Sequence, residues 1–203
     1  MVENEPADIG ADLNGPKKKP PRKVVQGVMD LLKRIVKQGP EPEVEEINER
    51  IVSTEEIMAI LPHRGRMLLL NRVVIRPDRV IGEFKVTDEV CEGHAFEGRL
   101  VFKGSDFSDM AAQLLGVWAA QYPDFEGKKA YARQYGGSKF QGLVSPGDLI
   151  LMEISAGHLR AEITIRPKFR KILVTGTDFS AMVGGQQIAK IFSVELVATE
   201  IEK

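Results

Sequence analysis

The sequence predicts an α+β protein, an antiparallel sheet packed on one long central helix with an N-terminal extension ahead of it. Three observations carry this expectation. Residues 105–122, SDFSDMAAQLLGVWAAQY, form one long apolar helix pattern. Strand-length runs stand before and after it without the strand–helix alternation of a parallel sheet. The first fifty residues carry none of the thirteen aromatic residues and six of the eleven prolines, so the core must lie beyond them.

Charge in the extension comes in blocks. Residues 1–15 hold four acids and no base, residues 16–37 hold eight bases and one acid, and residues 38–50 hold five acids and one base. Such a segment cannot bury enough apolar surface to offset its chain entropy. Residues 1–50 are therefore expected to be a charged, largely disordered tail, and residues 51–203 the folded domain. Inside the tail, KVVQGVMDLLKRIVK (23–37) repeats apolar residues at Val24, Val28, Leu31 and Ile35, an amphipathic helix pattern bounded by Pro21 and Gly39-Pro40. The favoured reading is a helix that packs on its own domain or a partner subunit. The other reading is contact with a membrane surface or a docking partner, and an acidic carrier protein would suit its charge.

In the domain, Ser53 or Thr54 caps a short helix with Glu55 and Glu56 in its first turn, and Pro62 ends it. MLLLNRVVI (67–75) and RVIGEFKVT (79–87) are expected as strands around an Arg76-Pro77-Asp78 turn. CEGHAFEGRLVFKG (91–104) reads as an irregular loop with three glycines leading into the long helix, which Pro123 ends. Strands return at 129–135, 148–157, 158–169, 171–183 and 186–199, with hairpin turns expected at Ala156-Gly157 and Gly184-Gly185. No internal repeat, P-loop or GxGxxG pattern is present.

Composition narrows the function classes. The net charge of −1 argues against a nucleic-acid binder. No run of eighteen apolar residues predicts a membrane span, and the acidic start MVENEPADIG lacks the apolar core of a secretory signal. A single cysteine, Cys91, excludes an internal disulfide framework and a cysteine-based zinc site. Together these favour a cytoplasmic location.

Few residues remain to carry chemistry. Of three histidines, His63 follows a proline in a loop and His158 sits near an expected hairpin turn. His94 lies in the glycine-bracketed loop before the long helix, the usual setting of a reactive group. Asp109 stands one turn into that otherwise apolar helix, where an unpaired carboxylate is costly unless it is used. From spacing alone, a solvated stripe of Asp106, Asp109 and Gln113 is the favoured alternative. Gly104 precedes the helix, where free backbone N–H groups can hold a developing oxyanion, or where the chain simply turns.

The segments LPHRGRMLLLNRV (61–73), GHAFEGRLVFKG (93–104), SDFSDMAAQ (105–113) and GGSKFQGLVSPGDLI (136–150) together resemble the 3-hydroxyacyl-[acyl-carrier-protein] dehydratases of fatty acid synthesis. The resemblance spans nearly all of residues 53–199 and implies the hot-dog fold, a sheet wrapped around one central helix. It implies His94 and Asp109 as catalytic residues, and Gly104 with Ser105 as the thioester-binding helix start. Phe107, Gly136, Gly137, Ser138 and Phe140 would then line the substrate channel, with Lys139 beside them. It further implies dehydration of 3-hydroxyacyl thioesters to trans-2-enoyl thioesters. The substrate would be carried on the 4'-phosphopantetheine of acyl carrier protein or on CoA, with no other cofactor and no metal. Histidine of one subunit would face the acid of the other, so a homodimer or larger homo-oligomer is implied. The chain departs from the family pattern at Gly93-His94-Ala95-Phe96-Glu97-Gly98, where one residue is inserted and a proline is missing. It departs again at Lys103, at the polar Ser105, Asp106 and Ser108, and at Arg64-Gly65-Arg66. A non-catalytic acyl-binding or scaffold protein and a hot-dog thioesterase are the alternatives.

Overall fold

The computed structural model describes residues 49–125, 128, 130–166 and 169–201. The expected tail helix at 23–37 lies outside the described residues. Strand β1 (Arg50–Val52) opens the sheet, one residue ahead of the expected domain start, and pairs with β2 (Arg72–Ile75). The helix α1 (Thr54–Ile60) begins in a capping box. Ser53 N–H donates to the Glu56 carboxylate at 2.8 Å, and Glu56 N–H donates to the Ser53 hydroxyl at 3.3 Å. At its other end Arg64 donates to the carbonyls of Met58 and Leu61, which have no partner in the helix ladder. The Arg of the Leu-Pro-His-Arg segment is thus a helix cap.

The expected strand at 67–75 is shorter than its apolar run. Residues Gly65–Met67 form a 3-10 turn, and extended pairing starts only at Arg72. Leu69 and Leu70 are buried without belonging to a strand. Strand β3 (Arg79–Lys85) follows, then a one-turn helix α2 (Asp88–Cys91) capped by Thr87. The loop expected at 91–104 contains a hairpin of β4 (Ala95–Phe96) and β5 (Arg99–Leu100). Its two turn residues, Glu97 and Gly98, have φ of 51° and 77°. Both central residues lie in the left-handed region, as a two-residue hairpin turn needs.

Helix α3 (Gly104–Ala119) is the long helix, and its Phe107, Met110, Ala111, Leu114 and Leu115 are buried. It packs on β2, β3, β8, β10 and β11. Gly82 of β3 lets it close on the sheet. A Cβ there would lie 2.6 Å from Leu70 Cδ2 and 3.1 Å from Leu114 Cδ1. Each buried Leu or Ile at this contact contributes about 1.5–3 kcal/mol by leaving water.

After α3 come β6 (Tyr131–Tyr135), β7 (Ser138–Phe140), β8 (Leu149–Ser155), β9 (Leu159–Arg166), β10 (Phe169–Val183) and β11 (Gln186–Ile201). Ser138 and Phe140, expected along the substrate channel, thus lie on a short strand. The sheet order is β1-β2-β3-β8-β10-β11-β6, with β7 also on β11 and β9 also on β10, and every pair is antiparallel. Gly184-Gly185 turns the β10–β11 hairpin as expected. The hairpin expected at Ala156-Gly157 does not form. Residues Ala156–His158 make a 3-10 turn, and β8 and β9 both pair with β10 at different heights, β9 up to Gly176 and β8 from Ser180. One helix held in an antiparallel sheet is the hot-dog fold. Among the described residues no helix is long and apolar enough to cross a membrane.

Candidate active site

The start of α3 is set by aromatic packing. Phe84, Phe102, Phe107 and Phe140 stack in a row with centroids 5.9, 4.9 and 5.9 Å apart. Gly104 sits under the last ring, and a Cβ there would meet Phe140 Cε2 at 3.0 Å. Gly104, Phe107 and Phe140 are therefore brought together at the helix start. Ser105 is exposed, and its hydroxyl lies 3.3 Å from Asp106 Oδ1. The first-turn N–H groups of a helix lack partners in its own ladder and favour negative charge.

Asp109 is one turn further along, half-buried, at the junction of two pockets. One, of about 210 Å³, is lined by His63, Arg66, Lys103, Asp106, Asp109 and Gln113, with Met67, Leu69 and Val90. The other, of about 180 Å³, runs past His63, Asp109, Ala112, Gly116, Tyr135 and Leu196. Tyr135 donates its phenol hydrogen to Asp109 Oδ1 at 2.8 Å. Burial, then this hydrogen bond and the carboxylate's charge, push the Tyr135 phenol far above its ordinary range, so it stays protonated. Burial also raises the Asp106 carboxyl, which Lys103 and His94 oppose and Asp109 reinforces.

The solvated stripe does not hold for Gln113, which is only 2% exposed. Its carbonyl accepts from Leu69 N–H and its amide donates to the Met67 carbonyl, both at 2.8 Å. It ties the loop after α1 to α3 beneath Asp109. His63, on that loop, is lowered by burial, partly offset by the Asp109 charge. Its Nδ1 is buried and has no hydrogen-bond partner among the described residues. His63, Gln113 and Tyr135 are site residues that sequence reasoning did not assign. The Leu-Pro-His-Arg segment was a signal for His63, but nothing local marked Tyr135.

His94 is exposed at the base of the β4–β5 hairpin. Its N–H donates to the Cys91 carbonyl at 3.0 Å, and Val101 N–H donates to the His94 carbonyl at 3.1 Å. Its Nδ1 lies 3.0 Å from the Val101 carbonyl. A carbonyl only accepts, which assigns a proton to Nδ1; in the neutral ring Nε2 then carries the lone pair, the form of a general base. His94 lines neither of the two pockets around Asp109. Gly136, Gly137 and Ser138 line neither as well. They link β6 to β7 along β11, where a Cβ on Gly136 would overlap the Ser193 hydroxyl. Pro146-Gly147-Asp148 is structural. Gly147 N–H donates to the Val86 carbonyl, Val86 N–H to the Asp148 carbonyl, and the Asp148 carboxylate accepts from Ser145 N–H.

A 3-hydroxyacyl-[acyl-carrier-protein] dehydratase FabZ of Enterococcus faecalis is 38% identical over 136 residues, which are 64% of this chain and 96% of that protein. The chain belongs to the FabZ dehydratase family. A second FabZ, from Clostridium acetobutylicum, is 36% identical over 107 residues, 51% of this chain and 75% of that protein. No protein-family model matches the sequence. Among solved structures, the dehydratase heterocomplex ApeI:P from Xenorhabdus doucetiae aligns over 72% of this chain and 91% of that chain, with 16% identity and a TM-score of 0.46. The zebra fish thioesterase superfamily member 2 aligns over 72% and 93%, with 16% identity and a TM-score of 0.39. The FabZ matches span about half to two thirds of this chain.

Proposed function

We propose that this FabZ-family protein dehydrates 3-hydroxyacyl thioesters, carried on acyl carrier protein or CoA, to trans-2-enoyl thioesters. The observation that carries the reading is Asp109, a half-buried carboxylate at the junction of two pockets one turn beyond the free N–H groups of α3. Elimination removes the C2 proton and the C3 hydroxyl. The C2–H and C3–O bonds break, the C2=C3 bond forms, and the hydroxyl leaves as water. His94, with Nε2 free, takes the C2 proton. Asp109 holds the departing hydroxyl, and His94 and Asp109 share delivery of its proton. The Gly104 end of α3 faces the thioester oxygen as negative charge builds on it. No electrons leave the substrate, so the reaction calls on no redox cofactor. The relatives' names, which specify 3-hydroxyacyl-[acyl-carrier-protein] dehydration, support the substrate class.

Within one chain His94 lines neither pocket around Asp109, which supports a homodimer in which His94 of one protomer meets Asp109 of its partner. The exposed side chains of Tyr131, Phe140 and Leu143 supply an apolar surface for that pairing. The test follows interconversion of 3-hydroxyacyl and enoyl thioesters on both carriers. Turnover that collapses in His94→Ala and in Asp109→Asn is the expected result. Absence of turnover, or turnover indifferent to both substitutions, overturns the reading. Thiol release without enoyl product would instead identify a thioesterase, and binding without either reaction an acyl-binding protein.

A further inference from the structure

We propose that Tyr135 is a positioning residue for the Asp109 carboxylate, holding Oδ1 through its phenol so that Oδ2 alone faces the reacting hydroxyl. This rests on the dehydratase reading above and adds a residue to it.

Two independent features of the chain aim Tyr135 at Asp109. The first is the hydrogen bond itself, 2.8 Å from the phenol oxygen to Oδ1. The second is a break in the β6–β11 register. Tyr131 pairs with Val197 and Ala132 with Leu196, then Gln134 pairs with Glu195 and Tyr135 with Val194. Arg133 is the unpaired extra residue, a β-bulge. In an unbroken strand Ala132 and Tyr135 would point to opposite faces, because their spacing is odd. The bulge puts both on the face of the buried Leu196 and Val194 of β11, on which α3 packs, with Tyr135 itself 42% exposed at the sheet's edge. Without it Tyr135 would point away from α3, on the face that Tyr131 takes.

The groups facing Asp109 come from three parts of the chain. His63 and Arg66 come from the segment after α1, Lys103 and Asp106 from the start of α3, and Tyr135 from β6. Tyr135 is the one of these whose hydrogen bond to the carboxylate is formed. Lys103 and Arg66 line the same pocket, so loss of the phenol leaves the charge balanced while freeing the carboxylate to rotate. The phenol does not titrate in the working range, since burial and Asp109 hold it protonated. A fixed donor to one carboxylate oxygen favours the ionised form and fixes its rotamer.

The test is Tyr135→Phe, which keeps the ring and its packing. A bond from a neutral donor to a carboxylate, partly open to water, supports a loss of about tenfold in kcat with KM nearly unchanged. Thermal stability should change little. A second readout needs no turnover. Ultraviolet titration of the tyrosines should show one phenol in the parent resisting ionisation, and that phenol should ionise at lower pH in Asp109→Asn. An unchanged titration in Asp109→Asn overturns the pairing. Unchanged kcat in Tyr135→Phe, or a loss carried by KM alone, overturns the positioning role. A parent without turnover overturns the dehydratase reading and the role built on it, while the titration still reports the pair.

Discussion

Gln113→Met tests whether the loop after α1 is fastened to α3 by the two hydrogen bonds of one side chain. Gln113 is 2% exposed, and methionine has nearly its volume, so the substitution opens little cavity and adds little strain. What it removes is the acceptor for Leu69 N–H and the donor to the Met67 carbonyl, each at 2.8 Å. The two losses are unequal. Leu69 is buried, so its N–H is left without water, at a cost of about 1–3 kcal/mol. Met67 is 56% exposed, so water can take over its carbonyl at little cost. The sum is about 1–3 kcal/mol, most of it from Leu69 N–H. For a domain of this size that corresponds to a fall in Tm of about 2–12 °C.

Urea unfolding by circular dichroism measures the loss, with Gln187→Met on the exposed end of β11 as the control. The control should stay within about 0.5 kcal/mol of the parent. Gln113→Glu sharpens the test. Its carboxylate still accepts from Leu69 N–H but sets a second oxygen against the Met67 carbonyl. Its destabilisation should shrink as the pH falls and the carboxyl gains a proton to donate. A loss below about 0.5 kcal/mol in Gln113→Met, or a Gln113→Glu defect independent of pH, would refute the tether.

Gly104→Ala should lower kcat/KM about tenfold with a change in stability under about 1 kcal/mol, because the new Cβ meets Phe140 at 3.0 Å and that half-exposed ring can yield. Steady-state kinetics beside a thermal melt separate the two effects. Gly98→Ala should cost about 1–2 kcal/mol in the same melt, since φ of 77° at the β4–β5 turn disfavours any side chain. His63 predicts a pH effect on stability. Burial lowers its folded pKa, so near pH 7 it is neutral in both states and contributes no penalty. As pH falls through its unfolded value of about 6.5, the unfolded chain takes up the proton first and stability drops. His63→Gln should flatten the stability profile between about pH 5 and 7. A profile unchanged from the parent would show that His63 is not desolvated as the fold places it.

The fold was legible because its strongest signals are local and repeated. The apolar run from Phe107 to Trp118 has no partner state but a buried helix, and α3 spans Gly104–Ala119. Gly184-Gly185 supplies the positive φ values that a tight hairpin needs, and the turn is there. Failures fall where tertiary contacts outweigh local pattern. Leu68, Leu69 and Leu70 look like a strand, yet Leu69 N–H bonds to a helix side chain, a choice settled by Gln113 forty-four residues on. Ala156-Gly157 looks like a hairpin turn, but β10 is long enough to accept β8 and β9 end to end, so the two need not pair with each other.

The candidate site divides the same way. His94, Gly104 and Asp109 stand out because each is an unusual residue for its setting: a histidine among glycines, a glycine at a helix start, a carboxylate in an apolar helix. Tyr135 has no such mark. In KAYARQY, Tyr131, Arg133 and Tyr135 alternate evenly, and alternation assigns all three to one face opposite Ala132. The bulge at Arg133 breaks that assignment, and its cause lies in β11, where Leu196 and Val194 both demand apolar partners on the α3 side. An in-register strand would offer Gln134 to Val194. Slipping one residue offers Tyr135 instead, while Arg133, left unpaired at the bulge, still reaches Glu195 at 3.6 Å. The register is thus set by what β11 must bury, and the aim of Tyr135 toward Asp109 follows from that remote requirement rather than from any pattern within β6.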